Sequence, residues 1–466
     1  MNVLESDTAV HSAHKAQDIA SHMHPFTNLA THPQSDPLVI VRGDGIYVED
    51  DRGRRYLEAM SGLWCASLGF SNARLAAAGS RALNTLPSYH TFTGRTNPAA
   101  IALAEKLLSV APVPMSKVLF ANSGSEANDT AVKLVWYYHN AIGKPKKKKI
   151  IARKNGYHGV TVAAASLSGL PTNHRGFDLP LDRILHVECP HHHRYAQPAE
   201  TEDDFATRLA DELEQRIQQE GADTVGAFIA EPVIGAGGVL VPPASYFEKI
   251  QAVLQRHDVL LIADEVICGW GRTGEVWGST TFGLRPDILT SAKALSSGYV
   301  PISAVLISDR VHAAVAMASG EIGVFGHGYT YSGHPVSCAV ALETLQVYED
   351  EKIIEHVQRI APNFQQHLRE FSGRRFVTQA RGVGLIGGIE LAADPQQRVA
   401  FEPARKAGAR LVEIALEEGL IVRALGDTIA FCPPLIITTA QVDELFARFD
   451  RSLQRFETEV ESGAAA

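Results

Sequence analysis

Short apolar runs recur along this chain, and each closes on glycine, serine or a charged residue. Val259–Ala263 and Ile288–Ala292 are the sharpest of them. Runs of this length, rich in aliphatics and without alternation, predict strands buried on both faces of an α/β sheet. Lys117–Asn122, Ile150–Arg153, Val225–Ala230 and Ser303–Ser308 read the same way. Helical patterns lie between them at Leu75–Leu86, from Ser123 to about Tyr138, and over the charged amphipathic stretch Glu202–Gln219. Leu38–Leu57 alternates around two turn signals, Gly43-Asp44-Gly45 and Asp50-Asp51-Arg52-Gly53, which predicts a small antiparallel meander.

Past Pro335 the pattern changes. A helix starting at Pro335 and a long helix running to about Phe371 precede strands at Phe376–Arg381 and Leu385–Leu391. A helix over Pro403–Glu418, short strands at Leu420–Ala424 and Thr428–Phe431, and a closing helix from Thr439 to about Val460 complete the reading. The organisation expected is an N-terminal arm and meander (1–65) belonging to a small domain, a large domain (66–335), and the remainder of the small α/β domain (336–466). The arm has helical character around Ala13–Met23, and a short alanine tail closes the chain at Ala464–Ala466.

Composition narrows the classes. The 466 residues are 45% hydrophobic and 20% charged, as in soluble multidomain chains. A net charge of -9 argues against nucleic acid or an anionic membrane as main partner, and the basic run Lys144–Lys149 reads as a solvated loop. Five cysteines, odd in number and without a CxxC pair, suit reduced thiols and a cytoplasmic location. The N-terminus does not resemble a secretory signal, and no apolar run approaches the ~20 residues of a membrane span. His11, His14, His22, His24 and His32 show no regular ligand spacing, so solvated or interface histidines are expected and no metal. His191-His192-His193 reads as a loop, since three consecutive side chains do not converge on one ion from regular structure.

The candidate chemistry sits where the strands end. Asp264 and Glu265 follow one run and Lys293 another, at the carboxyl ends where open α/β sheets bind ligands. A lysine amine is nucleophilic only when unprotonated; its reference pKa of about 10.4 falls by up to roughly 3–5 units on burial or beside a cation. Ser123-Gly124-Ser125 opens a helix directly after a strand. Free backbone N–H groups and the helix dipole make such a turn an anion site.

With Gly269-Trp270-Gly271-Arg272-Thr273-Gly274 between them, the ADEV string around Asp264 and the SAK string ending at Lys293 resemble the cofactor segment of the class III aminotransferases. The resemblance runs from about Gly43 to Ile437, through SGLW, SGSEAND, NGYHG, AEPVIGAGG and HGYTYSGHP in the family's order. It implies a fold type I pyridoxal phosphate enzyme, with a mostly parallel seven-stranded sheet in the large domain. By that resemblance Lys293 carries the cofactor covalently and shuttles protons, and Asp264 binds the pyridine nitrogen. Tyr157 stacks on the ring, Val266 covers its other face, and Glu231 and His158 support the network. Ser123, Gly124 and Ser125 cup the phosphate, and Thr330 reaches the phosphate of the neighbouring subunit. Trp64, Phe92 and Ala236 shape the substrate pocket, with Phe92 on a loop facing the neighbour's active site. Arg423 is similar to the mobile arginine that grips a keto acid carboxylate. The family implies a homodimer or a dimer of dimers with shared active sites.

The implied activity is ping-pong transfer of an amino group from an ω-amino acid or amine to pyruvate, giving alanine and an aldehyde or ketone. VKLVWYY, IARK, SLSGLP and FDLP are similar to the pyruvate-dependent 4-aminobutyrate type. Two alternatives keep the cofactor, an aminomutase and a decarboxylating transaminase. The intact Lys293, Asp264 and Tyr157 stand against a non-catalytic binding protein on the same fold.

Overall fold

The computed structural model describes residues 14–462. His11, Ala13 (the first residue of the stretch expected to be helical) and the Ala464–Ala466 tail lie outside the described residues. The meander forms as three antiparallel strands, β1 (Ile40–Asp44), β2 (Tyr47–Asp50) and β3 (Arg55–Glu58).

The large sheet contains β4 (Lys117–Ala121), β5 (Lys149–Arg153), β6 (Ile184–Val187), β7 (Val225–Ala230), β8 (Leu260–Asp264), β9 (Ile288–Ser291) and β10 (Ser303–Ile307). Their order is β4-β10-β9-β8-β7-β5-β6. Only β10 runs against its neighbours, pairing antiparallel with both β4 and β9. The aliphatic runs form strands because helices cover both faces and leave no side for water. Successive residues face opposite ways: Ile229 and Ile262 pack under the helix Gly124–Ala141, while Phe228 and Leu261 pack under the helices Glu202–Glu220 and Tyr246–Arg256.

The longer helices that went unread are Pro98–Ser109, Tyr246–Arg256 and Asp309–Ile322, and several short ones and the edge strand β6 went unread too. Pro98–Ser109 is signalled by an Asn97 cap that accepts from the Ala100 N–H at 2.9 Å and by proline at its first position.

The remaining strands are β11 (Val377–Val383), β12 (Ile386–Leu391), β13 (Leu420–Ile421), β14 (Arg423–Leu425) and β15 (Thr428–Phe431). The stretch read as one strand over Leu420–Ala424 is two strands in two sheets. β13 pairs parallel with β3 of the meander, and β14 pairs antiparallel with β15. The chain changes sheets at Val422, which joins the two ends of the sequence and turns Arg423 toward the large sheet. The helix expected from Pro403 begins at Ala407, because Lys406 adopts φ 47° between a short 3-10 turn and the helix proper. The triple histidine is a loop residue followed by one helical turn, His192–Tyr195.

Buried Arg272 couples the two ends of the fold. It donates to the carbonyls of Leu385 and Pro433 at 2.9 and 2.6 Å. The glycine-rich segment between the two chemical strands is thereby fixed to the C-terminal sheet.

Candidate active site

Six of the seven strands share one direction, so their carboxyl ends form one rim. The residues after β4, β5, β7, β8 and β9 meet there. Asp264 pairs with Thr290 across β8 and β9, and Lys293 follows three residues later. A cavity of about 110 Å³ lies among them, walled by Gly124, Ser125, Tyr157, Asp264, Val266 and Lys293.

Asp264 is buried and rigidly held. Its Oδ2 accepts from Asn128 Nδ2 and contacts His158 Nδ1, both at 2.8 Å, while Oδ1 accepts the Val266 N–H at 3.1 Å. Oδ1 keeps a free lone-pair direction for one more donor. Asn128 is itself fixed by the Thr290 hydroxyl at 2.9 Å and by donation to the His158 carbonyl at 2.7 Å. Glu265, the next residue, points the other way. Its carboxyl accepts the N–H groups of Gly278 and Ser279 and is buried far from the cavity wall, with its pKa pushed by burial to about 7. Of the two carboxylates at this strand end, one serves the site and one caps a short helix.

Lys293 stands in a left-handed conformation, φ 47°, at the start of a 3-10 turn. Burial lowers its pKa from the ordinary lysine value, and the negative charges of Asp264 and Glu231 oppose that shift. Glu231 is buried and accepts the Tyr157 and Gly235 N–H groups, each at 2.9 Å. It sets the backbone on which the Tyr157 ring is displayed. His158 Nε2 is buried without a hydrogen-bond partner among the described residues.

The phosphate end is shaped by glycine. A Cβ on Gly124 would lie 3.1 Å from Val266, and one on Gly159, at φ +129°, would lie 2.4 Å from Ser125 Oγ. Only glycine allows this approach. The Ser125 Oγ accepts the Val160 N–H at 3.1 Å, which leaves its own proton for a ligand. The Ser123 hydroxyl accepts from the Glu126 N–H at 3.2 Å. Ser123 is thus the helix cap and does not line the cavity, a correction to its expected place in the cup. Glu126 bends back to accept the Asn122 N–H at 2.7 Å, which keeps its charge off the anion site.

A larger cleft of about 920 Å³ shares Tyr157 and Lys293 with this cavity and is lined by Trp64, Ala236 and Arg423 as the sequence predicts. Phe26 and Leu63 line it too, and sequence reasoning missed both. Arg423 is half-buried and has no acidic partner among the described residues. Phe92 and Thr330 are exposed and line neither space. Their loops pack on each other, with Thr91 Oγ1 donating to the Ser332 carbonyl at 2.9 Å and the Phe92 ring against Gly328.

The class-III aminotransferase family model matches residues 30–453. This chain is a class III aminotransferase. It is 50% identical over 438 residues to gamma aminobutyrate transaminase 3, chloroplastic, of Solanum lycopersicum, covering 94% of this chain and 84% of that protein. Gamma-aminobutyrate transaminase 1, mitochondrial, of Oryza sativa subsp. japonica is 48% identical over 437 residues, covering 94% and 85%. Among solved structures, the omega transaminase from Pseudomonas jessenii in complex with PMP superposes with a TM-score of 0.95 at 52% identity, covering 96% of this chain and 99% of that one. A transaminase solved with L-ala gives 0.90 at 57% identity, covering 91% and 100%.

The aminotransferase uses pyridoxal 5′-phosphate, and its cavity fits that group. The open lone pair of Asp264 Oδ1 suits a pyridinium N–H, the glycine-lined helix start suits the phosphate, and the buried Lys293 amine suits an aldehyde. When bound, the cofactor supplies an electrophilic carbon and an electron-accepting ring. Asp264, anchored by Asn128 and His158, would hold the ring nitrogen. Tyr157 and Val266 would confine the ring, and Lys293 Nζ, buried and depressed in pKa, is the group in the cavity suited to take and return the substrate proton. His158 orients Asp264 through Nδ1, which is the supporting role expected for it.

Proposed function

We propose that this aminotransferase moves the amino group of an ω-amino acid or uncharged primary amine to pyruvate by a ping-pong route, yielding alanine. The observation that carries this reading is Arg423, a half-buried guanidinium without an acidic partner among the described residues, in the cleft that also holds Lys293. A guanidinium left unpaired in a partly apolar cleft calls for a carboxylate, which it binds through two parallel hydrogen bonds. Leu63, Trp64, Ala236 and Ile267 supply apolar wall for an alkyl donor. Relatives named as gamma-aminobutyrate transaminases favour 4-aminobutyrate as the first donor to try.

The enzyme acts as a homodimer in this proposal. Phe92 and Thr330, surface-exposed and outside their own cavity, would complete the partner's site as pocket wall and phosphate donor. Five free thiols suit a reducing compartment, and the cytoplasm is the proposed location.

An amine-donor screen with pyruvate, reading alanine formed, tests the acceptor. 4-Aminobutyrate or a simple amine is expected to give alanine, while equal rates with 2-oxoglutarate would reject the pyruvate assignment. Mixing Lys293→Ala chains with Thr330→Ala chains tests the shared site. Partial recovery of activity in the mixture, from sites with both residues intact, is expected; no recovery despite subunit exchange rejects it.

A further inference from the structure

The N-terminal arm contains a second constellation, outside the active site. The helix at 14–21 places Asp18 one turn from His22, and the turn after it brings back His24 and then His32. His22 Nδ1 lies 3.1 Å from Asp18 Oδ1, and His24 Nε2 lies 2.9 Å from each Asp18 oxygen. Ligand atoms of Asp18, His22 and His24 all lie within 4.8 Å of one another, and no other such group occurs among the described residues. Sequence spacing gives no hint of this, because Asp18, His22 and His24 are gathered by a helix end and His32 by a separate 3-10 turn.

His32 supplies the independent observation. It is only 6% exposed, and its Nε2 has no hydrogen-bond partner although it sits 3.9 Å from Asp18 Oδ2. Its other nitrogen fixes the tautomer. The Ser35 hydroxyl donates to the His32 carbonyl at 2.7 Å, so at 3.2 Å it accepts from His32 Nδ1–H. Nε2 then carries a lone pair 3.9 Å from Asp18 Oδ2, an oxygen whose nearer neighbour is His24 Nε2 at 2.9 Å. A cation held beside Asp18 would satisfy the Nε2 lone pair, which has no hydrogen-bond partner among the described residues. A second-shell hydroxyl on the far nitrogen is the arrangement that orients a metal-binding imidazole.

We infer that Asp18, His22 and His24, with His32 closing in as the fourth ligand, form a site for a divalent transition-metal ion of the zinc type, which clips the helix at 14–21 to the short turn at His32–Gln34 within the N-terminal arm. Three imidazoles and one carboxylate match the donor preference of zinc over magnesium or calcium. Tetrahedral zinc, with bonds of roughly 2.0–2.1 Å, separates its ligand atoms by about 3.3 Å. Asp18, His22 and His24 stand near that value, at 2.9 and 3.1 Å, while His32 Nε2, 3.9 Å from Asp18 and outside the group gathered within 4.8 Å, closes in by a side-chain adjustment when the ion binds. The clip lies next to the substrate, since Phe26 follows His24 by two residues and lines the large cleft.

Holoenzyme stripped with a chelator and titrated with Co²⁺ is expected to develop tetrahedral visible bands that saturate near one ion per chain and are displaced by Zn²⁺. His24→Ala should abolish them, and Ser35→Ala should weaken Co²⁺ binding about 10–100-fold while the cofactor's own absorbance persists. Zn²⁺ should also slow tryptic cleavage after Lys15 roughly tenfold when present at ten times Kd. Absence of saturable bands overturns the site, as do bands undiminished in His24→Ala. If His24→Ala fails to fold, Ser35→Ala decides, and unchanged Co²⁺ affinity there overturns it. A cleavage rate indifferent to Zn²⁺ overturns the clip.

Discussion

The cavity around Asp264 and the cleft around Arg423 share Lys293 and Tyr157 yet are built on opposite terms. Around Asp264 both carboxylate oxygens already accept protein donors, and Asn128 is held by Thr290 in turn. Nothing in that network moves without leaving a buried polar group unpaired. Around Arg423 the wall includes an arm residue, the segment containing Trp64 and a three-residue strand, and the guanidinium has no acidic partner among the described residues. A cofactor that stays through every cycle rewards a fixed, saturated frame. Two substrates that alternate in one place, one with a carboxylate beside the reacting carbon and one without, need a charge free to engage or withdraw.

The contrast can be broken experimentally. Lys293→Ala strikes the residue common to both regions and is expected to lower kcat by roughly 10²–10⁴-fold from lost proton transfer alone, with loss of the cofactor's visible band in absorbance. Asp264→Asn keeps the shape of the frame and removes its charge. It should cost about 10²–10³-fold in kcat, the scale of one preorganised electrostatic contact, for amine and keto acid half-reactions alike. Arg423→Ala should divide the two. Losing a hydrogen-bonded ion contact worth about 1.5–3 kcal/mol lowers kcat/KM for pyruvate, while an uncharged amine is little affected in single-turnover measurements. Equal losses for both would erase the distinction drawn here.

Glu265→Gln gives the smallest effect and sharpens the comparison from outside the site. Burial raises the Glu265 pKa from 4.5 to about 7. A carboxyl raised in the fold favours the folded state below its unfolded pKa and loses that contribution as pH rises through the folded value. Wild-type stability should therefore decline between about pH 4.5 and 7, by on the order of 3 kcal/mol from this group. Glu265→Gln should flatten that part of a Tm-against-pH profile and leave the cofactor spectrum intact.

Much of the frame was legible because its elements are local. An aliphatic run with a charge at its end declares a buried strand and its chemical terminus, as at Asp264 and Lys293. The cup was legible for Gly124 and Ser125, yet Ser123 proved to be a cap, since one hydroxyl position decides between accepting an N–H and facing a ligand. Asn128 was quoted in a motif without a role, and Thr290 was unmarked. Their function exists only because β8 and β9 lie side by side in register with the helix above them.

The buried strands of the large sheet other than β6, the carboxylate and the amine at their ends, the glycines of the phosphate turn and the family itself are written in the linear chain, because each depends on neighbours within a few positions. Which of two adjacent carboxylates enters the cavity, the turn of Arg423 into the cleft by a change of sheet at Val422, the arrival of Phe26 from the arm, and the meeting of Asp18, His22, His24 and His32 were decided only by folding. Each depends on a side chain's direction relative to segments far away in sequence, and packing of the whole chain fixes that direction.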